Sequence, residues 1–195
     1  LGTTKPVLTQ PQMVVFAGDH GLAKQGVSAF PQDVTWQMVE NFLAGGAAVS
    51  VLARQNGIDL HVADCGVAHN FAPRPSLHQL KVALGTADST QGPAMTMAQC
   101  EQAIANGQAL LRQLPGNAVL LGEMGIGNTS AATLLLARLQ GVPLADCTGA
   151  GTGLDAAGVQ RKMAILQRVL DRNTTETPLE ALAALGGFEI ATMVG

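Results

Sequence analysis

The stretch that decides the fold is Ala118-Val119-Leu120-Leu121-Gly122-Glu123-Met124-Gly125-Ile126-Gly127-Asn128-Thr129-Ser130. A short apolar run leads into a glycine turn, and the turn leads into a helical pattern whose first side chains can cap a helix. This order favours an anion site, because backbone N–H groups of the turn can approach a ligand and the helix N-terminus adds partial positive charge. We therefore expect a buried central strand at 119–121, a helix at 128–139, and the phosphate of a nucleotide bound between them.

A second glycine loop and a lysine follow downstream. The loop is Gly149-Ala150-Gly151-Thr152-Gly153, and the next helical pattern, from about Asp155 to Leu170, carries Lys162. An ammonium on that helix can reach a phosphate from the far side, since lysine is a suitable point charge for phosphate. The alternative is a solvated helix lysine beside Arg161.

A polar pair ends the first apolar run of the chain. Residues 13–17 read as a strand buried on both faces, followed by Gly18-Asp19-His20-Gly21. In open α/β sheets the loops after the carboxyl ends of strands line the ligand crevice, so Asp19 and His20 are candidate binding residues. Alternatively, Asp19 caps the turn and His20 is a surface side chain.

The remaining patterns alternate between strand and helix. We predict strands at 60–65 and 80–84 and helices at 31–44, 47–55 and 97–114, with a capping box at Thr177–Glu180 before another helix. Such alternation is typical of an α/β fold with a mainly parallel sheet. Residues 1–12 carry two prolines and no periodicity and read as an arm or linker, and residues 13–195 read as one α/β nucleotide-binding domain.

The composition argues against several classes of partner. The net charge is −3, no basic cluster exceeds a pair, and the chain has no Tyr and one Trp, so nucleic acid and anionic membranes are disfavoured. No apolar run reaches about 18 residues, and no signal peptide is visible. The three cysteines are widely spaced, which fits a reducing cytoplasm, and no spacing suggests a metal site. The chain opens on Leu1 and stops at Gly195 inside an apolar segment, which suggests a piece of a longer protein.

Known nucleotide motifs match the central loop only in part. It is not a Walker A loop, because no Gly-Lys-Ser/Thr follows. Gly125-x-Gly127 with Ser130 in the third position approaches the dinucleotide fingerprint, and Asp146 lies roughly where a ribose-binding acid would sit. A NAD(P)-dependent oxidoreductase is therefore one hypothesis. Glu123 sets the loop apart, since a carboxylate there can accept from a ribose hydroxyl or a protonated ring nitrogen, or bond to neighbouring backbone N–H groups as a structural residue.

Longer segments resemble the nicotinate-nucleotide–dimethylbenzimidazole phosphoribosyltransferase family. The similar runs are Val15–Gly21, Gly26–Pro31, Asn41–Ala48 and Gly122–Thr129. The resemblance implies a Rossmann-like three-layer α/β/α fold, a cytoplasmic homodimer, and no cofactor or metal. It also implies transfer of phosphoribose from nicotinate mononucleotide to 5,6-dimethylbenzimidazole, which yields α-ribazole 5'-phosphate and nicotinate in cobalamin biosynthesis.

The resemblance also implies roles for individual residues. Glu123 is a supporting catalytic residue, and Lys162 lies near the nucleotide phosphate. Phe30 and Met38 line the base pocket, although Met38 offers no amide to the base. One glycine loop faces the ribose phosphate and contributes Gly125, Gly127, Asn128 and Thr129. The second forms a neighbouring wall and contributes Gly151, Thr152 and Gly153.

One expected catalytic group lies outside this sequence. The family's general base is a glutamate in a Gly-Glu-Gly loop towards the C-terminus, and these residues contain no such loop. A non-catalytic nucleotide-binding or dimerisation module is therefore a third hypothesis.

Overall fold

A four-stranded parallel sheet forms the centre of the protein. The computed structural model describes residue 2 and residues 4–195. The strands are β1 (Gln12–Gly18), β2 (Asp59–Gly66), β3 (Leu77–Gln79) and β4 (Val119–Met124). Their order is β3-β2-β1-β4, and all neighbouring pairs are parallel. Because the chain adds β4 on the far side of β1, the switch point of the topology lies between the carboxyl ends of these two strands.

Helices flank the sheet on both faces. They are α1 (Val34–Leu43), α2 (Ala48–Gln55), α3 (Met97–Leu111), α4 (Asn128–Gln140), α5 (Leu144–Cys147), α6 (Ala156–Arg172), α7 (Pro178–Leu185) and α8 (Phe188–Val194), and a 3-10 turn spans Gly21–Gln25.

Alternate residues of β1 point into two separate layers of the core. Val14 and Phe16 pack with side chains of α3, α7 and α8, whereas Val15 and Ala17 pack with α1 and with β2. A third apolar cluster joins α4, α5, α6 and α7. This period-two arrangement is what a sheet covered on both faces requires. The predicted Rossmann-like three-layer α/β/α fold is therefore confirmed.

The predicted position of the central strand is wrong. β4 lies at the edge of the described sheet, and Val119, Leu120 and Leu121 are 38%, 43% and 56% exposed. An apolar run normally indicates burial on both faces, but among the described residues β4 pairs only with β1, and α4 makes its main contacts with α5, α6 and α7. The run thus identified a parallel strand without locating it in the sheet.

The predicted strand at 80–84 is also wrong, because the strand lies at Leu77–Gln79. The next residues still donate to β2, with Leu80 N–H bonding to Asp64 O at 3.0 Å and Val82 N–H bonding to Cys65 O at 3.0 Å. Between them, Lys81 turns back to form an ion pair with the Asp64 carboxylate at 2.8 Å. Residues 80–84 therefore lack regular strand geometry, although two of them bond to β2.

The N-cap agrees with the sequence prediction in α7 and differs from it in α4. The capping box before α7 is confirmed, with Glu180 N–H donating to Thr177 Oγ1 at 3.2 Å and Thr177 N–H donating to Glu180 Oε2 at 3.1 Å. For α4 the N-cap is Gly127, at φ 100° and without a side-chain cap bond, so none of the predicted side chains occupies the cap position, although Asn128 Oδ1 does accept from Thr129 N–H at 2.6 Å. A glycine reaches this left-handed conformation without strain.

Candidate functional site

The glycine turn after β4 lies at the switch point, directly against the end of β1. A Cβ atom at Gly125 would lie 2.1 Å from Gly18 O, so only glycine allows the two backbones to approach this closely. Three backbone N–H groups of the turn already have protein partners. Ile126 N–H donates to Thr35 Oγ1 at 3.1 Å, Asn128 N–H to Gly125 O at 3.1 Å, and Thr129 N–H to Asn128 Oδ1 at 2.6 Å.

Lys162 lies beside this turn, buried and without a counterion. Its relative exposure is 0%, and Nζ donates to Thr129 Oγ1 at 3.1 Å and to Gly149 O at 3.3 Å. No carboxylate in residues 2 and 4–195 forms an ion pair with it. Burial lowers the pKa of Lys162 from its ordinary value. The structure therefore excludes a solvated surface lysine, and a buried cation without a carboxylate partner is an arrangement that an anionic ligand would stabilise.

The second glycine loop closes over this lysine. A Cβ atom at Gly151, which has φ 57°, would lie 3.7 Å from Lys162 Nζ and 3.4 Å from Thr129 Oγ1. Further along the loop, the hydroxyls of Thr152 and Ser28 are 3.1 Å apart. The structure thus brings together Lys162, the start of α4 and the 149–153 loop, as the sequence predicted, while Gly153 lies exposed at the end of the loop.

The two residues predicted to line a base pocket lie in different surroundings. Phe30 is 50% exposed, and its N–H donates to Ser28 Oγ at 3.2 Å, which connects it to the 149–153 loop through Thr152. Met38 is half-buried on α1 and packs in the apolar layer that also contains Met124. Phe30 therefore lies near the phosphate-side loops, whereas Met38 belongs mainly to the core.

Glu123 opens onto a cavity of about 280 Å³. The cavity is lined by Glu123, Asn128, Thr129, Ala132, Leu135, Ile190 and Met193. Glu123 as a whole residue is exposed, but partial burial of its carboxylate raises the pKa, nearby Glu189 raises it further, and His20 opposes both effects. A carboxyl with a raised pKa beside an apolar cavity can exchange a proton with a bound ring or sugar.

Asp19 and His20 lie beneath the turn and not on its surface. Each is 2% exposed. Ala68 N–H donates to Asp19 Oδ2 at 2.8 Å, and burial raises the pKa of this carboxyl. His20 Nε2 lies 2.8 Å from Glu189 Oε1 in a buried pair. In this structure both predicted binding residues are therefore buried behind the turn.

Sequence reasoning missed Glu189 and Thr35. Glu189 is fully buried on α8, inside a segment that read only as a final apolar run. A single acid within Phe188-Glu189-Ile190-Ala191 was the available signal, since a buried carboxylate needs a specific partner. Thr35 gave no comparable signal, because its contact with Ile126 joins residues 91 positions apart.

The geometry does not support a dinucleotide site. Asp146, the candidate ribose acid, is exposed in the short helix α5 and does not follow a strand beside β4. Within the described chain, no group of three or more His, Cys, Asp or Glu residues is arranged to hold a metal ion. No helix among the described residues is both long and apolar enough to cross a bilayer.

Comparisons with known proteins agree with the fold and the motifs. A family model described as "Phosphoribosyltransferase" matches residues 1–195. The chain is 65% identical over 196 residues to a nicotinate-nucleotide–dimethylbenzimidazole phosphoribosyltransferase from Variovorax paradoxus, covering 100% of the chain and 56% of that relative. It is 59% identical to the protein of the same name from Dechloromonas aromatica, covering 99% of the chain and 58% of the relative.

A solved structure is also similar. The crystal structure of CobT from Thermus thermophilus superposes with a TM-score of 0.89 at 40% identity, over 98% of this chain and 59% of that chain. The present chain thus spans somewhat more than half the length of the relatives it matches.

Proposed function

The chain belongs to the nicotinate-nucleotide–dimethylbenzimidazole phosphoribosyltransferase family, and we propose that this protein moves phosphoribose from nicotinate mononucleotide to 5,6-dimethylbenzimidazole. The products are α-ribazole 5'-phosphate and nicotinate, in cobalamin biosynthesis. We also propose that it acts as a cytoplasmic homodimer, with residues 13–195 as the large nucleotide-binding domain and residues 1–12 as an arm.

The buried ammonium of Lys162 is the observation that best supports this proposal. A phosphate placed between Lys162 and the start of α4 would supply the missing negative charge and could accept from Thr129 Oγ1. Gly125, Gly127, Asn128, Gly151, Thr152 and Gly153 would then shape the rim around it. Anchoring this remote phosphate supplies binding energy that orients the anomeric carbon for displacement.

Glu123 and its cavity suit the reacting end of the nucleotide. Ala132, Leu135, Ile190 and Met193 offer an apolar wall for a flat ring, and the Glu123 carboxyl stands at its rim. We propose that Glu123 bonds to the ribose or to a ring nitrogen as charge develops at the anomeric carbon. Phe30 and Met38 remain our candidates for contacts with the base, and Asp19 and His20 are candidates for support of the turn.

Product analysis tests the proposal. Protein expressed from its complete gene is incubated with nicotinate mononucleotide and dimethylbenzimidazole, and α-ribazole 5'-phosphate and nicotinate are separated by liquid chromatography. We expect both products in equal amounts and a large loss of rate in Glu123→Gln. Binding of nicotinate mononucleotide without either product would instead favour the non-catalytic module, and absence of binding would refute the phosphate site.

A further inference from the structure

A cluster of four ionisable side chains lies at and under the glycine turn. His20 Nε2 and Glu189 Oε1 are 2.8 Å apart, and the two side chains are 3% and 0% exposed. Three carboxylates act on the imidazole from separate elements: Glu189 on α8, Asp19 at the end of β1 and Glu123 on β4. Such a concentration of acids around one imidazole favours its protonated form.

The ring of His20 is held tightly between glycines. A Cβ at Gly125 would lie 3.5 Å from His20 Cδ2, and one at Gly127 would lie 3.2 Å from His20 Cβ. On another side, a Cβ at Gly187 would lie 2.4 Å from His20 Cε1. The ring therefore packs against the turn that we assign to the phosphate, and a charge on it lies directly beneath that turn.

Glu189 is held as tightly, and part of its carboxylate has no partner. Its Oε2 is buried without a hydrogen bond among the described residues. A Cβ at Gly18 or at Gly187 would lie 2.7 Å or 2.3 Å from this oxygen, so the carboxylate fills the space that these glycines leave. A cationic partner is what stabilises an ionised carboxylate buried in this position, and His20 is the basic side chain in contact with it.

We propose that Glu189 is a positioning residue of the transfer reaction: it holds His20 as an imidazolium beneath the glycine turn, where the positive charge attracts the phosphate and balances Glu123. This inference rests on the proposed function. Burial alone would lower the pKa of His20, but Glu189, Asp19 and Glu123 oppose it and the pKa stands above its ordinary value of 6.5. Affinity for a phosphate ligand should then fall as pH rises through the titration of His20.

Calorimetric titration of nicotinate mononucleotide from pH 6 to 9 tests the inference. Glu189→Gln keeps the shape and can still accept from His20, but it removes the charge. We expect its affinity near pH 7.5 to be about tenfold weaker, because neutral His20 no longer presents a positive charge against the turn, and this loss outweighs removal of the carboxylate on its other side. The decline of affinity with pH should begin at lower pH than in the wild type. Glu189→Asp should restore part of the pH profile. The control Glu101→Gln removes an exposed charge on α3 and should leave affinity and pH profile unchanged.

A second measurement needs no variant. Nuclear magnetic resonance titration of the four histidines of the wild-type protein should show His20 with a raised midpoint that rises further when nicotinate mononucleotide binds. An ordinary or lowered midpoint for His20 would overturn the inference, as would identical pH profiles for wild type and Glu189→Gln. If the wild type binds no nucleotide, the proposed function fails, while the midpoint of His20 alone still decides whether Glu189 holds it charged.

Discussion

Replacing Lys162 by methionine should separate ligand binding from folding. The change keeps a long unbranched side chain and removes a buried charge that has two polar contacts, to Thr129 Oγ1 at 3.1 Å and Gly149 O at 3.3 Å. Both partner residues are exposed, so water can satisfy these oxygens after the substitution. Loss of a charge-assisted contact to phosphate costs about 1.5–3 kcal/mol. We therefore expect the Kd for nicotinate mononucleotide to rise about 10–150-fold.

Replacing Lys162 by methionine should change the free energy of unfolding much less than it changes the affinity for the nucleotide. Removing a buried ammonium also removes its desolvation cost, which offsets the two lost hydrogen bonds. We expect the free energy of unfolding without ligand to fall by less than about 1 kcal/mol, or to increase. Isothermal titration calorimetry measures the Kd for nicotinate mononucleotide, and urea denaturation measures the free energy of unfolding.

The neighbouring arginine provides a matched control. Arg161 is exposed on the same helix, so Arg161→Met removes one positive charge at almost the same place in the sequence. Its effect on the Kd should stay below about threefold, as for other exposed charges. Equal effects of the two substitutions would refute the argument, because they would reflect general charge and not a specific contact. So would a loss of more than about 3 kcal/mol of stability in Lys162→Met, which would make this lysine structural.

Three further predictions concern folding. Gly125→Ala would place a Cβ 2.1 Å from Gly18 O and should lower stability by about 1–3 kcal/mol in urea denaturation, and an unchanged midpoint would contradict the close packing. Thr177→Ala should lower stability by about 1 kcal/mol through loss of the α7 cap, and retention of the full value would show that the capping box is dispensable. Burial lowers the pKa of both His61 and His78 below 6.5, so these two side chains bind protons more readily in the unfolded chain, and their contribution to stability should fall as pH drops below about 6.5, opposite in sign to that of His20. Replacing both histidines by glutamine should flatten that part of the pH–stability curve, and an unchanged slope would refute their role.

The correct predictions concern strands, helices and a helix cap that depend on residues close together in the chain. The alternation of apolar runs and helical patterns identified β1, β2, β4 and the larger helices, because these signals depend on residues close together in the chain. Thr177 and Glu180 formed the expected capping box for the same reason. The grouping of Lys162 with Thr129 followed from the family resemblance and from the position of two glycine loops.

The errors concern distant partners. The apolar character of β4 could not reveal which strands pair with it, and so its place at the sheet edge was missed. His20 and Glu189 are 169 residues apart, and neither neighbourhood alone indicates a buried ion pair. The start of α4 at Asn128 was predicted correctly, but its N-cap is Gly127, whose left-handed conformation the side-chain pattern did not indicate.

The exposed edge of β4 determines how residues 1–195, expressed on their own, should behave in concentrated solution. A strand with free backbone groups on one side and apolar side chains facing water is a template for adding another strand. We therefore expect aggregation to grow with protein concentration, and expect it to begin at 119–121 more than at the short edge strand β3. The substitution Leu120→Lys, at a side chain that is already 43% exposed, is the simplest way to raise solubility without touching the nucleotide site.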